Sequence, residues 1–355
     1  MKIKVQGSEL NRMMKTITQC IDTKHQIMGN ICVIYDNNLL TIRGTNGQFA
    51  AVMSTPVLGG TGESFCVDGT MFARVCSMCN GEVSIETDAK TCTIRGAGRT
   101  RLPIVNVNVP NYERVTGDSF DIGASDFSKA YGGVAYAVSQ DQTRITLTGI
   151  LIETESEDSI RFVSIDGFRM AVENIKGRFS ETGMVVPAQF MKLISASTFT
   201  GDVIAITTNG KKIQAETDGM LMSCTLLTGE FPPYDKIMPT EFKTEVLVNA
   251  DLFRTALKSS GVVCSTSNLV KLEISEDKLT VSGNSEQADY EAEIPCTLQG
   301  NGLKIAFNLK YLLDTINSVS NDSIVLQFNL PTSPCVLHGK DDTGLRLILP
   351  VRVQG

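Results

Sequence analysis

One helix-opening pattern recurs along this chain at domain-sized intervals. Ser8-Glu9-Leu10-Asn11-Arg12 returns as Ser125-Asp126-Phe127-Ser128-Lys129 and, more loosely, as Ala250-Asp251-Leu252-Phe253-Arg254. Each copy supplies a cap-like residue, then an acid, an apolar residue and, two positions on, a base. The spacing of roughly 120 residues matches a folded domain and is far too long for a solenoid repeat. The 355 residues therefore read as three like domains. Such an arrangement places function on surfaces and junctions, not in a single catalytic cleft.

Periodicity fills in each domain. Leu10, Met13, Met14 and Ile17 make a helical stripe, as do Phe127, Ala130, Tyr131 and Val134. A second helix is expected after Asp68, Pro187 (as its first residue) and Asn308, with Met71, Phe190 and Tyr311 as the first core residues. Between the helices, alternating apolar runs flank polar turns at Tyr35–Asn38, Ser156–Asp158 and Ser275–Asp277, which are hairpin signals. The first two copies end alike, in Pro110-Asn111-Tyr112-Glu113-Arg114-Val115 and Pro233-Tyr234-Asp235-Lys236-Ile237. The expected domains are 1–118, 119–242 and 243–355, each α+β, with two helices packed on antiparallel sheet.

The composition excludes several classes. Hydrophobic residues make up 42% of the chain, enough for a core in each domain. No apolar run approaches the ~18 residues of a membrane span. Met1-Lys2-Ile3-Lys4-Val5 alternates like a strand and lacks a signal-peptide core, so a cytoplasmic protein with no membrane partner is expected. The ten cysteines are scattered. Cys20, Cys32, Cys224 and Cys335 lie in apolar surroundings and read as reduced core residues. Cys76-Ser77-Met78-Cys79 has no second pair and only two histidines in the chain to assist it, so neither a metal nor a cofactor is expected. Gly96-Ala97-Gly98 is followed by Arg99-Thr100-Arg101-Leu102-Pro103, which suits a hairpin turn better than a phosphate loop. No constellation singles out a catalytic residue, and a non-enzyme is expected.

The net charge of −7 argues against a protein that grips nucleic acid tightly. The distribution of charge qualifies this. Arg12, Lys129 and Arg254 occupy matching places in the repeated pattern, and Lys15, Lys24, Arg74, Lys192 and Lys258 lie on or near the same helical elements. Acids crowd elsewhere, as at Glu153–Asp158 and Glu286–Glu293. A thin basic helical face gives weak, salt-sensitive, sequence-blind phosphate contact. No helix is basic enough to read a groove, and no aromatic-rich basic stretch offers base stacking.

Seven segments stand out in order along the chain: Gln142-Thr143-Arg144, Leu147 to Glu153, Ile165-Asp166-Gly167-Phe168-Arg169-Met170-Ala171, Gly229 to Tyr234, Phe307 to Leu313, Ser333 to Leu337 and Leu349-Pro350-Val351-Arg352. Together they resemble the bacterial sliding-clamp family, the beta subunit of DNA polymerase III. The resemblance covers essentially the whole chain. It implies a head-to-tail homodimer that closes as a ring around double-stranded DNA, independent of sequence. It also implies a peptide cleft that takes Gln-Leu-x-Leu-Phe-like motifs of the DNA polymerase III catalytic subunit, the clamp loader, other polymerases and repair factors. Carried over residue by residue, that cleft comprises Leu147, Ile165, Gly167, Phe168, Arg169, Met170, Pro232, Lys236, Ile237, Asn308, Tyr311, Leu349, Pro350, Val351 and Arg352. The dimer contact is expected at Val262 and Val263. Phe168 stands where many relatives have His, Lys236 where Arg is common, and Val353-Gln354-Gly355 extends past Arg352. The competing expectation is a three-domain peptide-binding scaffold that does not engage DNA; it shares the cleft and lacks the basic face.

Overall fold

The computed structural model describes residues 1–57, 59–178, 183–197, 202–264 and 266–352, so the Val353–Gly355 extension lies outside the described residues. The first copy runs β1 (Lys2–Gln6), α1 (Gly7–Ile17), β2 (Asn30–Asp36), β3 (Leu39–Thr45), β4 (Phe49–Pro56), β5 (Gly60–Thr61), β6 (Phe65–Asp68), α2 (Gly69–Ser77), β7 (Glu82–Thr87), β8 (Thr91–Arg95) and β9 (Arg99–Pro103). The second runs β10 (Asp118–Gly123), α3 (Ala124–Val134), β11 (Gly149–Ser156), β12 (Ser159–Ile165), β13 (Arg169–Lys176), β14 (Met184–Pro187), α4 (Ala188–Ala196), β15 (Val203–Thr208), β16 (Lys212–Thr217) and β17 (Met220–Thr225). The third runs β18 (Thr244–Asn249), α5 (Ala250–Val263), β19 (Leu269–Ile274), β20 (Lys278–Asn284), β21 (Asp289–Gly300), β22 (Leu303–Asn308), α6 (Leu309–Asn317), β23 (Ser323–Phe328), β24 (Cys335–Gly339) and β25 (Leu345–Ile348). Strand, helix, meander, helix and meander thus recur in the expected α+β order.

The chain forms two compact units, one built on residues 1–127 and 189–226, the other on 128–178, 183–188 and 227–352. Unit one holds a five-stranded sheet, β5-β1-β7-β8-β9, and an eight-stranded sheet, β10-β15-β16-β17-β4-β3-β2-β6. In the latter, β4 and β17 pair antiparallel with Ala51 opposite Met222, joining copy one to copy two. Unit two holds a twelve-stranded sheet, β14-β11-β12-β13-β25-β24-β23-β18-β21-β20-β19-β22. There β13 pairs antiparallel with β25, Ala171 opposite Arg346, joining copy two to copy three.

The helical stripes fall where periodicity puts them. Leu10, Met13, Met14 and Ile17 are buried on α1, as are Phe127, Ala130 and Val134 on α3, with Tyr131 half-buried. Two of the three expected second-helix starts hold as caps: Asp68 Oδ1 accepts from Met71 N at 2.7 Å, and Asn308 Oδ1 from Tyr311 N at 3.1 Å, whereas Pro187 ends β14 and α4 opens one residue later, at Ala188.

Four further expectations need correction. Met71 is exposed, because Phe72 takes the core position on α2; Phe190 is buried as expected and Tyr311 is half-buried. Ser8 and Ser125 lie inside the first turns of α1 and α3 and do not precede them. The third copy is displaced by one residue. Helix α5 is capped by Asn249, and its fourth residue, Phe253, is buried like Leu10 and Phe127 at the fourth positions of α1 and α3. Leu252 is left exposed, and the residue equivalent to Arg12 and Lys129 is Thr255, not Arg254. One residue is about 100° of rotation on a helix, enough to change which neighbour a side chain meets. Finally, Cys32 on β2 lies directly opposite Cys66 on β6, with Cα atoms 4.4 Å apart, and the two are joined as a disulfide. Cys20, Cys224 and Cys335 are free and buried, and burial pushes the Cys20 thiol up to about 12.

Candidate functional site

The conspicuous surface of unit two is built around the turn between β12 and β13. Asp166 Oδ1 accepts from the backbone N–H groups of Phe168 (2.8 Å) and Arg169 (3.0 Å). Gly167 sits at φ +96°, a conformation that glycine adopts without steric cost. The turn pushes Phe168 outward, 55% exposed, and starts β13 at Arg169.

Arg169 itself is only 8% exposed. Its Nε donates to Asp166 Oδ2 at 2.9 Å and its Nη1 to Asp314 Oδ2 at 2.8 Å. Its guanidinium lies over the ring of Tyr311 at 4.5 Å and near that of Tyr136 at 5.2 Å. Burial works against its charge, and the bonds to Asp314 and Asp166 more than offset this, so its pKa rises above the ordinary guanidinium value. The Tyr311 ring in turn stands 5.6 Å from that of Phe168. The exposed Phe168 ring thus stands beside Tyr311, which lies on a buried cation paired with two carboxylates.

Beneath it, Leu147, Ile165 and Met170 belong to one buried cluster with Tyr234, Val336 and Leu347. Tyr234 anchors the third segment. Its hydroxyl donates to Glu153 and accepts from Arg161 Nη1 (3.1 Å), and Arg161 also pairs with Glu155. The short turn Tyr234–Ile237 then leaves Pro232, Lys236 and Ile237 exposed. The tail is tied at two points: Leu349 N donates to Phe168 O at 2.9 Å and Val351 N to Ala306 O at 2.8 Å. Leu349 is exposed beside the Phe168 turn and Pro350 is half-buried. Val351 and Arg352 instead line a groove of about 710 Å³ with Lys271, Glu273, Lys304 and Pro331. Asn308 is engaged as the α6 cap.

The basic residues separate into two groups. Arg12 pairs with Glu9 at 2.9 Å. Arg254 pairs with Asp251 at 2.9 Å and donates to the carbonyls of Ile316, in the last turn of α6, and Val319, just beyond it. Each of these two arginines is paired and keeps only about a fifth of its side chain exposed, 21% and 20%. Lys15, Lys24, Arg74 and Lys192 in unit one, and Lys129 and Lys258 in unit two, are exposed. Val262 is 81% exposed at the end of α5, and Val263 is half-buried. Among the described residues no group of three or more His, Cys, Asp or Glu could hold a metal ion, and no helix is long and apolar enough to cross a membrane.

The family described as DNA polymerase III beta subunit, central domain, matches residues 121–233, and the C-terminal domain of the same subunit matches residues 235–352. The chain belongs to the DNA polymerase III beta subunit family. A beta sliding clamp of Streptomyces coelicolor is 28% identical over 81% of this chain and 82% of its own length. Among solved structures, the beta subunit of Streptococcus pyogenes DNA polymerase superposes with a TM-score of 0.92 at 21% identity, covering 99% of this chain and all of that one. A Pseudomonas aeruginosa sliding clamp bound to griselimycin gives 0.91 at 20% identity, over 99% of this chain and 100% of that one.

Within this clamp-family chain, sequence reasoning missed Tyr136, Asp314, Arg161 and the anchoring role of Tyr234. Asp166 and Arg169 are three apart and could have been paired on sight. Asp314 is 145 residues from Arg169, and nothing in the sequence joins them.

Proposed function

We propose that this chain is a DNA polymerase processivity factor: a non-catalytic sliding clamp in which two copies close head to tail around duplex DNA while partner proteins dock on unit two. The observation that carries the docking half is the exposed apolar set Phe168, Ile237 and Leu349 on a scaffold fixed by Arg169 and Tyr234. Preformed apolar pockets with a few orienting polar groups suit a short peptide. Closure explains how an acidic chain holds DNA, because a ring needs little affinity. Domains 1–118, 119–242 and 243–355 fit this reading, since β1, β10 and β18 each lead directly into a helix. The test is titration of a labelled Gln-Leu-Ser-Leu-Phe peptide into the intact protein and into a variant lacking Leu349–Gly355. Saturable binding is expected in the first and none in the second. Failure of the intact, folded protein to bind would remove the cleft reading.

The DNA-facing set is proposed as Lys15, Lys24, Arg74, Lys129, Lys192 and Lys258, which are exposed, with Arg12 and Arg254 subordinate because both are paired. Replacing Lys129, Lys192 and Lys258 together by Ala should shorten processive synthesis on a primed template, most strongly at low salt, where the wild-type phosphate contacts are worth most. The log–log salt slope should fall by roughly 0.9 for each phosphate that is no longer neutralised. Arg254→Ala alone should change that slope little. Equal processivity across the salt series in the triple variant would remove the basic-face proposal.

Val262 and Val263 are proposed as a dimer contact. An 81% exposed valine gains from burial, and an aspartate there would have to be desolvated. Val262→Asp should therefore shift the protein toward monomer in sedimentation equilibrium, and an unchanged dimer mass would place the interface elsewhere.

A further inference from the structure

The repeat makes the docking turn of unit two twice. In unit one, Asn46-Gly47-Gln48-Phe49 occupies the place of Asp166-Gly167-Phe168-Arg169. Asn46 Oδ1 accepts from Gln48 N (3.0 Å) and Phe49 N (2.7 Å), and Gly47 sits at φ +89°. Thr225 N donates to Gln48 O at 3.1 Å, as Leu349 N does to Phe168 O. The strand registers agree as well: Thr45 pairs with Ala50 and Arg43 with Val52, where unit two pairs Ile165 with Met170 and Val163 with Val172.

The backbone is repeated and the chemistry is inverted. Thr45, Gln48, Ala50 and Thr225 stand where unit two has Ile165, Phe168, Met170 and Leu349. Ala50 leaves open the space that Met170 fills in the other copy, and a recess of about 250 Å³ remains, lined also by Arg43, Tyr112 and Lys212. Arg43 replaces the buried Val163, and its Nε is buried with no hydrogen-bond partner. A buried guanidinium N–H without an acceptor is costly, and a bound acceptor would remove that cost. Lys212 lies 4.0 Å from Glu113, which offsets it, so Arg43 is the uncompensated charge of the recess. Glu113 at the wall disfavours a dianion. A planar monoanion matches the guanidinium fork.

We propose that this recess is a second ligand site, distinct from the unit-two surface, which takes a carboxylate presented on a short peptide, with Arg43 as its anchor. The peptide as carrier rests on the clamp reading of the equivalent surface; the preference for a carboxylate rests on Arg43 and its neighbours.

Methionine methyl groups report on both places. The Met28 methyl lies against Gly47 in the recess, and Met170 floors the unit-two surface. In full-length protein carrying ¹³C-methyl methionine, N-acetyl-Ala-Asp-Leu-amide should shift the Met28 methyl saturably and leave Met170 unmoved. The Asn analogue should bind about tenfold more weakly or worse, as expected for loss of a charge-assisted bond, and Arg43→Gln should lose the response by a similar factor. The Gln-Leu-Ser-Leu-Phe peptide should do the reverse, moving Met170 and not Met28, in both wild type and Arg43→Gln. An unmoved Met170 with that peptide would count against the cleft alone. No Met28 shift with the Asp peptide, an equal shift with the Asn analogue, or tighter binding of inorganic phosphate would each overturn the proposed site.

Discussion

Arg346→Ala should open the β13–β25 ladder, raising amide exchange at Met170–Val172 and Leu345–Leu347 by about a hundredfold or more. Arg346 is 1% exposed and is the largest fully buried side chain. Its Nη2 donates to Glu173, itself 3% exposed, its Nε to Ser318 Oγ at 3.0 Å and its Nη1 to Val172 O at 3.3 Å. The guanidinium therefore joins copy two to copy three beside the C-terminal end of α6, where a cation is also favoured by the helix dipole. Removing it leaves the buried Glu173 carboxylate without its partner, at a cost of about 3–5 kcal/mol. Burial already holds the Glu173 carboxyl above its usual range, with Arg346 opposing that rise. Glu173→Gln in the same chain should restore much of the protection, because the orphaned charge is gone. If the double variant exchanges as fast as Arg346→Ala, the loss comes from the cavity and not from the unpaired charge.

The contrast between local and long-range features explains what could be read from the sequence. The stripes of α1 and α3, the caps at Asp68 and Asn308, and the turns between paired strands all depend on residues a few positions apart. Periodicity and turn chemistry report such things directly. Leu252 and Phe253 are both apolar, so the third copy can be aligned two ways from sequence, and only packing decides which of them faces the core. The same ambiguity made Arg254 look equivalent to Arg12 and Lys129. Strand pairings β4–β17 and β13–β25 join residues far apart in sequence and have no local signal, and Cys32–Cys66 depends on the register of such a pairing. The cleft residues came from family resemblance. Their support by Arg169, Asp314 and Tyr136 could be seen only once the chain was folded.

That support predicts a large functional effect from a residue that barely touches solvent. Arg169→Ala should abolish binding of the Gln-Leu-Ser-Leu-Phe peptide, a loss of at least about a hundredfold in affinity. The guanidinium holds Asp166, which forms the turn that presents Phe168, and underlies Tyr311, which flanks the Phe168 ring. Its removal leaves Asp166 and Asp314 without their partner and frees both rings, so the bound conformation must be ordered at the moment of binding. Arg169→Lys should be nearly as damaging, because an ammonium cannot bridge two carboxylates in one plane while stacking on Tyr311. Asp314→Asn should be milder, because Asp166 remains and Asn still offers an acceptor. Fluorescence titration orders the three, with Met222, in unit one, as a methyl reporter that the rest of the fold persists. Arg169→Lys binding the peptide like wild type would mean that charge alone suffices and that the planar, stacked geometry contributes nothing to docking.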